Sequence, residues 1–263
     1  MFQSKFTTPL AIAALGCLIG YGATAHEFIA SSKTLPANSK DTAVFILDST
    51  HVFGSPEEAE APKHVAAQLI TPSTTTDLDV SENADAPNLT GTFTLSEEEP
   101  AWLVGHRLPV IWSQTPDGWK EGGPDVNPDA VASSRFEKFS KNLTGGDGNA
   151  AFVSTPLGHT LEIVPLSDPR AASIGDDIDV QVRLNGQPYS TSVLATYAGF
   201  TETPSSYAYY TETMSDDHGS GIAKIRVTAP GLWVVRVAAD LPDVEEGVGV
   251  HNLRATMTFD IAQ

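Results

Sequence analysis

Apolar and polar residues alternate most regularly in the second half of the chain. Ile178, Val180, Val182 and Leu184 are interleaved with Asp179, Gln181 and Arg183, and the run then meets Asn185-Gly186, a two-residue hairpin signal. Ala223, Ile225 and Val227 alternate with Lys224 and Arg226 before a turn at Pro230-Gly231. Leu253, Ala255, Met257, Phe259 and Ile261 alternate with Asn252, Arg254, Thr256, Thr258 and Asp260. A period of two sends one side of each run into a core and the other into water, which predicts strands. Together with residues 161–165, 192–199, 207–213 and 233–239, these make about seven strands in roughly 100 residues, the count of an immunoglobulin-like sandwich.

The first half is less regular but also favours strands, over residues 42–51, 65–71, 91–95 and 101–114. Ser55-Pro56-Glu57-Glu58 and Glu97-Glu98-Glu99-Pro100 separate these runs and read as exposed turns. One helix is expected near 130–143: Pro128-Asp129 offers a cap, Phe136, Phe139 and Leu143 fall at helical spacing, and Gly145-Gly146 is a stop. A boundary follows at Thr155-Pro156-Leu157-Gly158. The pattern predicts a mainly β chain of two β-sandwich-like domains, the second immunoglobulin-like, with one short helix between them. Residues 26–156 form the first domain, including that helix, and residues 157–263 the second.

Residues 1–25 do not belong to this pattern. A polar start with Lys5, an apolar run from Leu10 to Tyr21 and an Ala-x-Ala ending at Ala23 and Ala25 have the layout of a secretory signal, and are too short for a stable membrane span. Cleavage after Ala25 would deliver a periplasmic protein that begins with His26. No later apolar run reaches the roughly 20 residues of a transmembrane helix, so no membrane insertion of the mature chain is expected. Cys17, the sole cysteine, lies in the signal, which leaves the mature chain without disulfides or thiolate ligands. The whole chain carries −18 and the signal one positive charge, so the chain from His26 carries −19. Such a field argues against nucleic acid or anionic membrane partners and is compatible with small cations.

Seven histidines remain as candidate chemistry. His64 shares strand parity with Gln68, and His218 sits in the Asp216-Asp217-His218-Gly219 turn, so both read as surface residues. Four others point to apolar strand faces. His26 has the parity of Phe28, and His51 that of Phe45, Leu47 and Phe53. His106 has that of Trp102, Val104, Leu108 and Trp112, and His251 that of Leu253 and Met257. His159 shares the parity of Leu161 and Ile163, so parity alone does not single out the four. A buried imidazole without a partner costs about 1 to 3 kcal/mol. A shared metal removes that cost and fixes the tautomers, whereas separate hydrogen bonds to backbone or carboxylate are the plainer account of each ring. The spacing is wholly non-local, with no HxH or HExxH element. A mature N-terminal His26 adds an α-amine to its imidazole, a ready chelating pair. Imidazole without thiolate suits nickel, cobalt, copper or zinc. Tyr207, Tyr209, Tyr210 and Glu212 form a second cluster, either strand packing or the rim of a binding site. Hydrolase and phosphate-loop signatures are absent.

The motifs His26-Glu27-Phe28-Ile29, His51-Val52-Phe53 with an acidic loop after it, Gly105-His106-Arg107 and Ile111-Trp112-Ser113-Gln114-Thr115 resemble one exported bacterial family. So do Phe136-Glu137-Lys138-Phe139, the stretch from Leu161 to Pro169, the stretch from Ala195 to Phe200, the stretch from Pro230 to Arg236, and His251-Asn252-Leu253-Arg254. This is the family catalogued as domain of unknown function 4198, described as a periplasmic component of cobalt or nickel uptake. The resemblance implies a metal ion and a membrane metal-uptake transporter as partners; it brings no defined catalytic residues. His26, His51, His106 and His251 stand at its motif positions.

The expectation is therefore a non-enzymatic, periplasmic protein that binds a divalent transition metal, nickel or cobalt first and copper or zinc next. His26, His51, His106 and His251 are its ligands. The rival is an exported β-sandwich that binds a protein or glycan and packs its histidines without metal. A copper oxidase using the N-terminal histidine is a third reading. The geometric discriminator is whether His26, His51 and His106 can share an ion at about 2 Å per bond; if they stand too far apart, the rival wins.

Overall fold

A computed structural model describes residues 26–262 apart from 41, 97, 148, 201–208 and 213–218. The signal expected over residues 1–25 with Cys17, together with Tyr207 and His218, lies outside the described residues. β1 (Glu27–Thr34) and β2 (Ala43–Thr50) are followed by β3 (Val65–Ile70), β4 (Thr75–Leu78), β5 (Ser81–Glu82) and β6 (Leu89–Phe93). β7 (Pro100–Thr115), β8 (Gly118–Glu121) and β9 (Ala132–Gly145) come next, and α1 (Ala150–Val153) is one turn of helix capped by the Asn149 side chain. The remainder is β10 (Leu161–Pro165), β11 (Asp177–Leu184), β12 (Gln187–Pro188), β13 (Ser192–Tyr197), β14 (Tyr209–Glu212), β15 (Ile222–Arg226), β16 (Gly231–Pro242) and β17 (Val250–Ile261).

The chain is mainly β and sandwich-like, as its alternation predicts. A long sheet in the order β14-β13-β16-β17-β9-β7-β3-β4, with β8 added to β7, runs between two small ones. On one face β1-β2-β6-β5 encloses a core that includes Phe28, Phe45, Leu47 and Leu103. On the other, β10-β11-β12, with β15 on β11, encloses Trp102, Phe139, Ile178, Trp233 and Phe259. The β11–β12 hairpin turns at Asn185 and Gly186, both at positive φ (50° and 75°), which is what an Asn-Gly hairpin turn requires.

The helix expected near 130–143 is corrected to strand β9; the one α-helix among the described residues is α1. Phe136, Phe139 and Leu143 do fit helical spacing, but β9 lies between β7 and β17 and bonds to both. Both its faces are covered, Phe139 and Leu143 by one core and Ser140 and Asn142 by β1, so the alternation that marks a strand is blurred. The boundary expected near 155–158 follows α1, yet the parallel pairing of β9 with β17 puts strands from both halves of the chain in one sheet.

The face of β17 expected to be wet is also covered. β1 is the edge of its sheet, and its outer backbone groups bond to hydroxyls of the long sheet. Thr256 Oγ1 donates to Phe28 O and Thr258 Oγ1 to Ala30 O, both at 2.6 Å, and Ala30 N donates to Ser140 Oγ at 2.7 Å. These side chains replace the missing neighbouring strand. Gly105 completes the fit: a Cβ there would meet Leu47 at 2.8 Å and Phe28 at 3.0 Å. This seating fixes β1, and with it His26.

Candidate metal centre

In the β1–β2 register Glu27 faces Thr50, and one further step sets His26 opposite His51. The two rings meet edge-on with centroids 4.1 Å apart. Beyond β2 the chain doubles back: Thr50 Oγ1 bonds to the carbonyls of Val52 and Ser55, and Gly54 takes φ 83°. This turn carries Glu57 and Glu58 to the histidines. Glu57 Oε2 lies 2.8 Å from His51 Nδ1 and 3.1 Å from His26 Nε2, and its Oε1 accepts from the His51 backbone N–H at 2.8 Å. Glu58 Oε1 is 2.6 Å from His26 Nδ1. The hydrogen bonds from the His51 side chain and backbone hold the exposed Glu57 carboxyl down at about 2.

Donor atoms of His26, His51 and Glu57 all lie within 4.8 Å of one another, the one group of three or more such residues among those described. His106 and His251 form a separate arrangement. Buried Glu137 offers Oε1 to His106 Nε2 at 2.8 Å and Oε2 to His251 Nε2 at 3.0 Å. Burial pushes the Glu137 carboxyl up, but hydrogen bonds and charge from His106 and then His251 outweigh it and hold it below the ordinary range. The three residues stand on adjacent strands β7, β9 and β17, on the face that Phe139 and Leu253 share. His26 and His51 lie on the side of Phe28 and Leu47, across the long sheet. A shell of all four histidines is therefore not formed, nor is the His26–His51–His106 version, because strand backbone separates the pairs, and on that three-histidine discriminator the rival is favoured. A metal reading then rests on Glu57, which stands where a third imidazole was expected.

Other positions also depart from their parity. A bulge between Arg107 and Val110 reverses the facing of β7, so Trp112 joins the face of Arg107 rather than that of His106. His64, read as a surface residue, is 3.2 Å from Glu121 and lines a cleft beside His26. His159 stacks on Phe139 at 5.2 Å, and His106 stacks on the same ring at 4.5 Å. Sequence reasoning missed Glu57, Glu58 and Glu137 as ligand partners. For Glu57, the acidic loop after His51 was the available signal.

A profile described as "Domain of unknown function (DUF4198)" matches residues 23–240. The chain belongs to this family. The DUF4198 match spans His26, His51 and Glu57 but stops short of His251. No curated protein matches the chain.

Proposed function

We propose that this DUF4198 protein binds a divalent transition metal through His26, His51 and Glu57 and, in the periplasm, supports nickel or cobalt uptake through a membrane transporter. The observation that carries the reading is the approach of two imidazoles and one ionised carboxylate to within 4.8 Å. Two nitrogens and one oxygen without thiolate suit nickel, cobalt, copper and zinc. Cleavage after Ala25 would add the α-amine of His26 beside its Nδ1; a chelate through that nitrogen releases Glu58 and turns Nδ1, in place of Nε2, toward Glu57 and His51. Glu57, which bridges the two imidazoles by hydrogen bonds, holds their nitrogens in register for an ion that would take the place of those bonds. The role is ligation and release, with no reaction.

Titration calorimetry of the chain beginning at His26 with nickel, cobalt, copper and zinc tests the proposal. Binding tighter than about 10 µM is expected for at least one ion. His51→Ala and Glu57→Gln should each weaken it at least about tenfold, on the scale of a lost ligand, while His106→Ala leaves it unchanged. Absence of binding would favour the rival module, in which His26 and His51 only form ion pairs with Glu57 and Glu58.

A further inference from the structure

A cleft of about 490 Å³ opens beside the proposed metal site, and His26 belongs to both. That volume falls in the range of small-molecule sites and far exceeds what an ion and three side-chain ligands need. One wall is aromatic: Trp112, Trp119 and Phe136, with Trp119 meeting Phe136 edge-on at 6.2 Å. Trp119 is 42% exposed, an aromatic surface left open at a rim rather than packed in the core.

The floor is charged. The Arg107 and Lys138 side chains, 5% and 8% exposed, share one carboxylate, Glu60, at 3.3 and 3.0 Å. Two buried cations on one anion leave a positive floor in a chain of net charge −18. At the rim Glu121 is paired with His64 at 3.2 Å and Lys63 at 3.7 Å, and Glu58 is the carboxylate that a chelate on His26 Nδ1 would release. An anionic group entering the cleft would meet Arg107 and Lys138 without displacing the Glu121 pairs.

From this geometry, and resting on the metal reading above, we infer that the cleft seats a small polydentate carboxylate chelator that carries the metal. Its carboxylate faces Arg107 and Lys138, and its organic body lies against Trp119 and Phe136. Its metal completes the coordination shell on His26, His51 and Glu57. Three side chains and the His26 α-amine leave two positions open on a six-coordinate ion, and a chelator in the adjoining cleft fills them.

The test uses the chain beginning at His26, with nickel chloride alone, nickel with L-histidine and nickel with citrate, followed by calorimetry and tryptophan fluorescence. Trp102 and Trp233 are fully buried, so a change in emission reports chiefly on Trp112 and Trp119. A nickel chelate should bind at least tenfold tighter than nickel alone and quench that emission. In Trp119→Ala the ratio of chelate to nickel affinity should fall at least fivefold, and in Lys138→Met likewise. Preference for L-histidine over citrate points to ring stacking on the aromatic wall, and equal preference to carboxylate recognition; both support the inference. If nickel binds alone and both chelators simply strip it from the protein, the inference is overturned and the metal reading stands. If neither nickel nor its chelates bind, both fall. Binding of metal-free chelator as tight as that of its nickel complex also overturns the inference.

Discussion

One oxygen of Glu57 touches both His26 and His51, and one carboxylate of Glu137 touches both His106 and His251. The difference between the two pairs is exposure and approach. Glu57 lies at an open loop with three donors within 4.8 Å, whereas Glu137 is buried and holds its two imidazoles on separate oxygens. His159 shows a third fate. Burial, only partly offset by Glu162, lowers its pKa from 6.5 to about 4. Between those values the unfolded chain takes up a proton that the folded ring resists, so stability is fully present above pH 6.5 and falls as the pH drops toward 4. The loss is on the order of 2 to 4 kcal/mol. Urea unfolding across that window should show the decline, and His159→Phe, which keeps the stack on Phe139, should flatten it. Of these residues the sequence exposed the histidines as a set of candidates. It could not pair them, because His26 and Glu57 are 31 positions apart and meet only when β1 and β2 align.

At the level of elements, β1 is held by side chains on its outer edge. Thr256 and Thr258 donate to its carbonyls, Ser140 accepts from its Ala30 N–H, and Ser32 reaches Asn142 at 2.6 Å. Replacing Thr256 by Val keeps the shape and removes a buried donor, so the Phe28 carbonyl loses that partner. A loss of about 1 to 3 kcal/mol is expected, measurable as a lower urea midpoint at unchanged slope. A loss near zero would mean that water replaces the hydroxyl. β9 is the element the sequence misassigned, and β17 the one whose second face it misread. The causes differ: β9, covered on both faces, does not alternate as a half-solvated strand does, whereas β17 alternates regularly and its polar face is covered by β1, to which its threonine hydroxyls bond.

At the scale of the molecule, strands from before and after α1 share one sheet, and the core around Trp102, Phe139 and Trp233 draws on both. The buried Lys141–Glu162 pair, 2.8 Å apart, adds a second tie, with the Lys141 ammonium 4.5 Å from the centre of the Trp102 ring. A shared sheet leaves little for the halves to do separately, so unfolding in urea should be a single transition. Tryptophan fluorescence and far-ultraviolet circular dichroism should coincide. Two resolved transitions would mean that the two halves keep independent stability despite the β9–β17 pairing. The sequence marked a boundary near 155–158, just after α1, but not that β9 pairs with β17 across it. A sequence marks where the chain changes direction and is silent on which distant strand fills the next place in a sheet.

The mainly β character, most strand positions, the Asn185-Gly186 hairpin, the histidine candidates and the family resemblance were legible in the order of residues. Those properties depend on local periodicity, turn chemistry and residue type, which neighbouring residues in the chain specify. Which histidines meet, that Glu57 joins them, and that a cleft floored by Arg107 and Lys138 opens beside His26 came from the packing of the strands. Each of these depends on register and facing across strands far apart in sequence, where a single bulge between Arg107 and Val110 moves a tryptophan from one side of the sheet to the other.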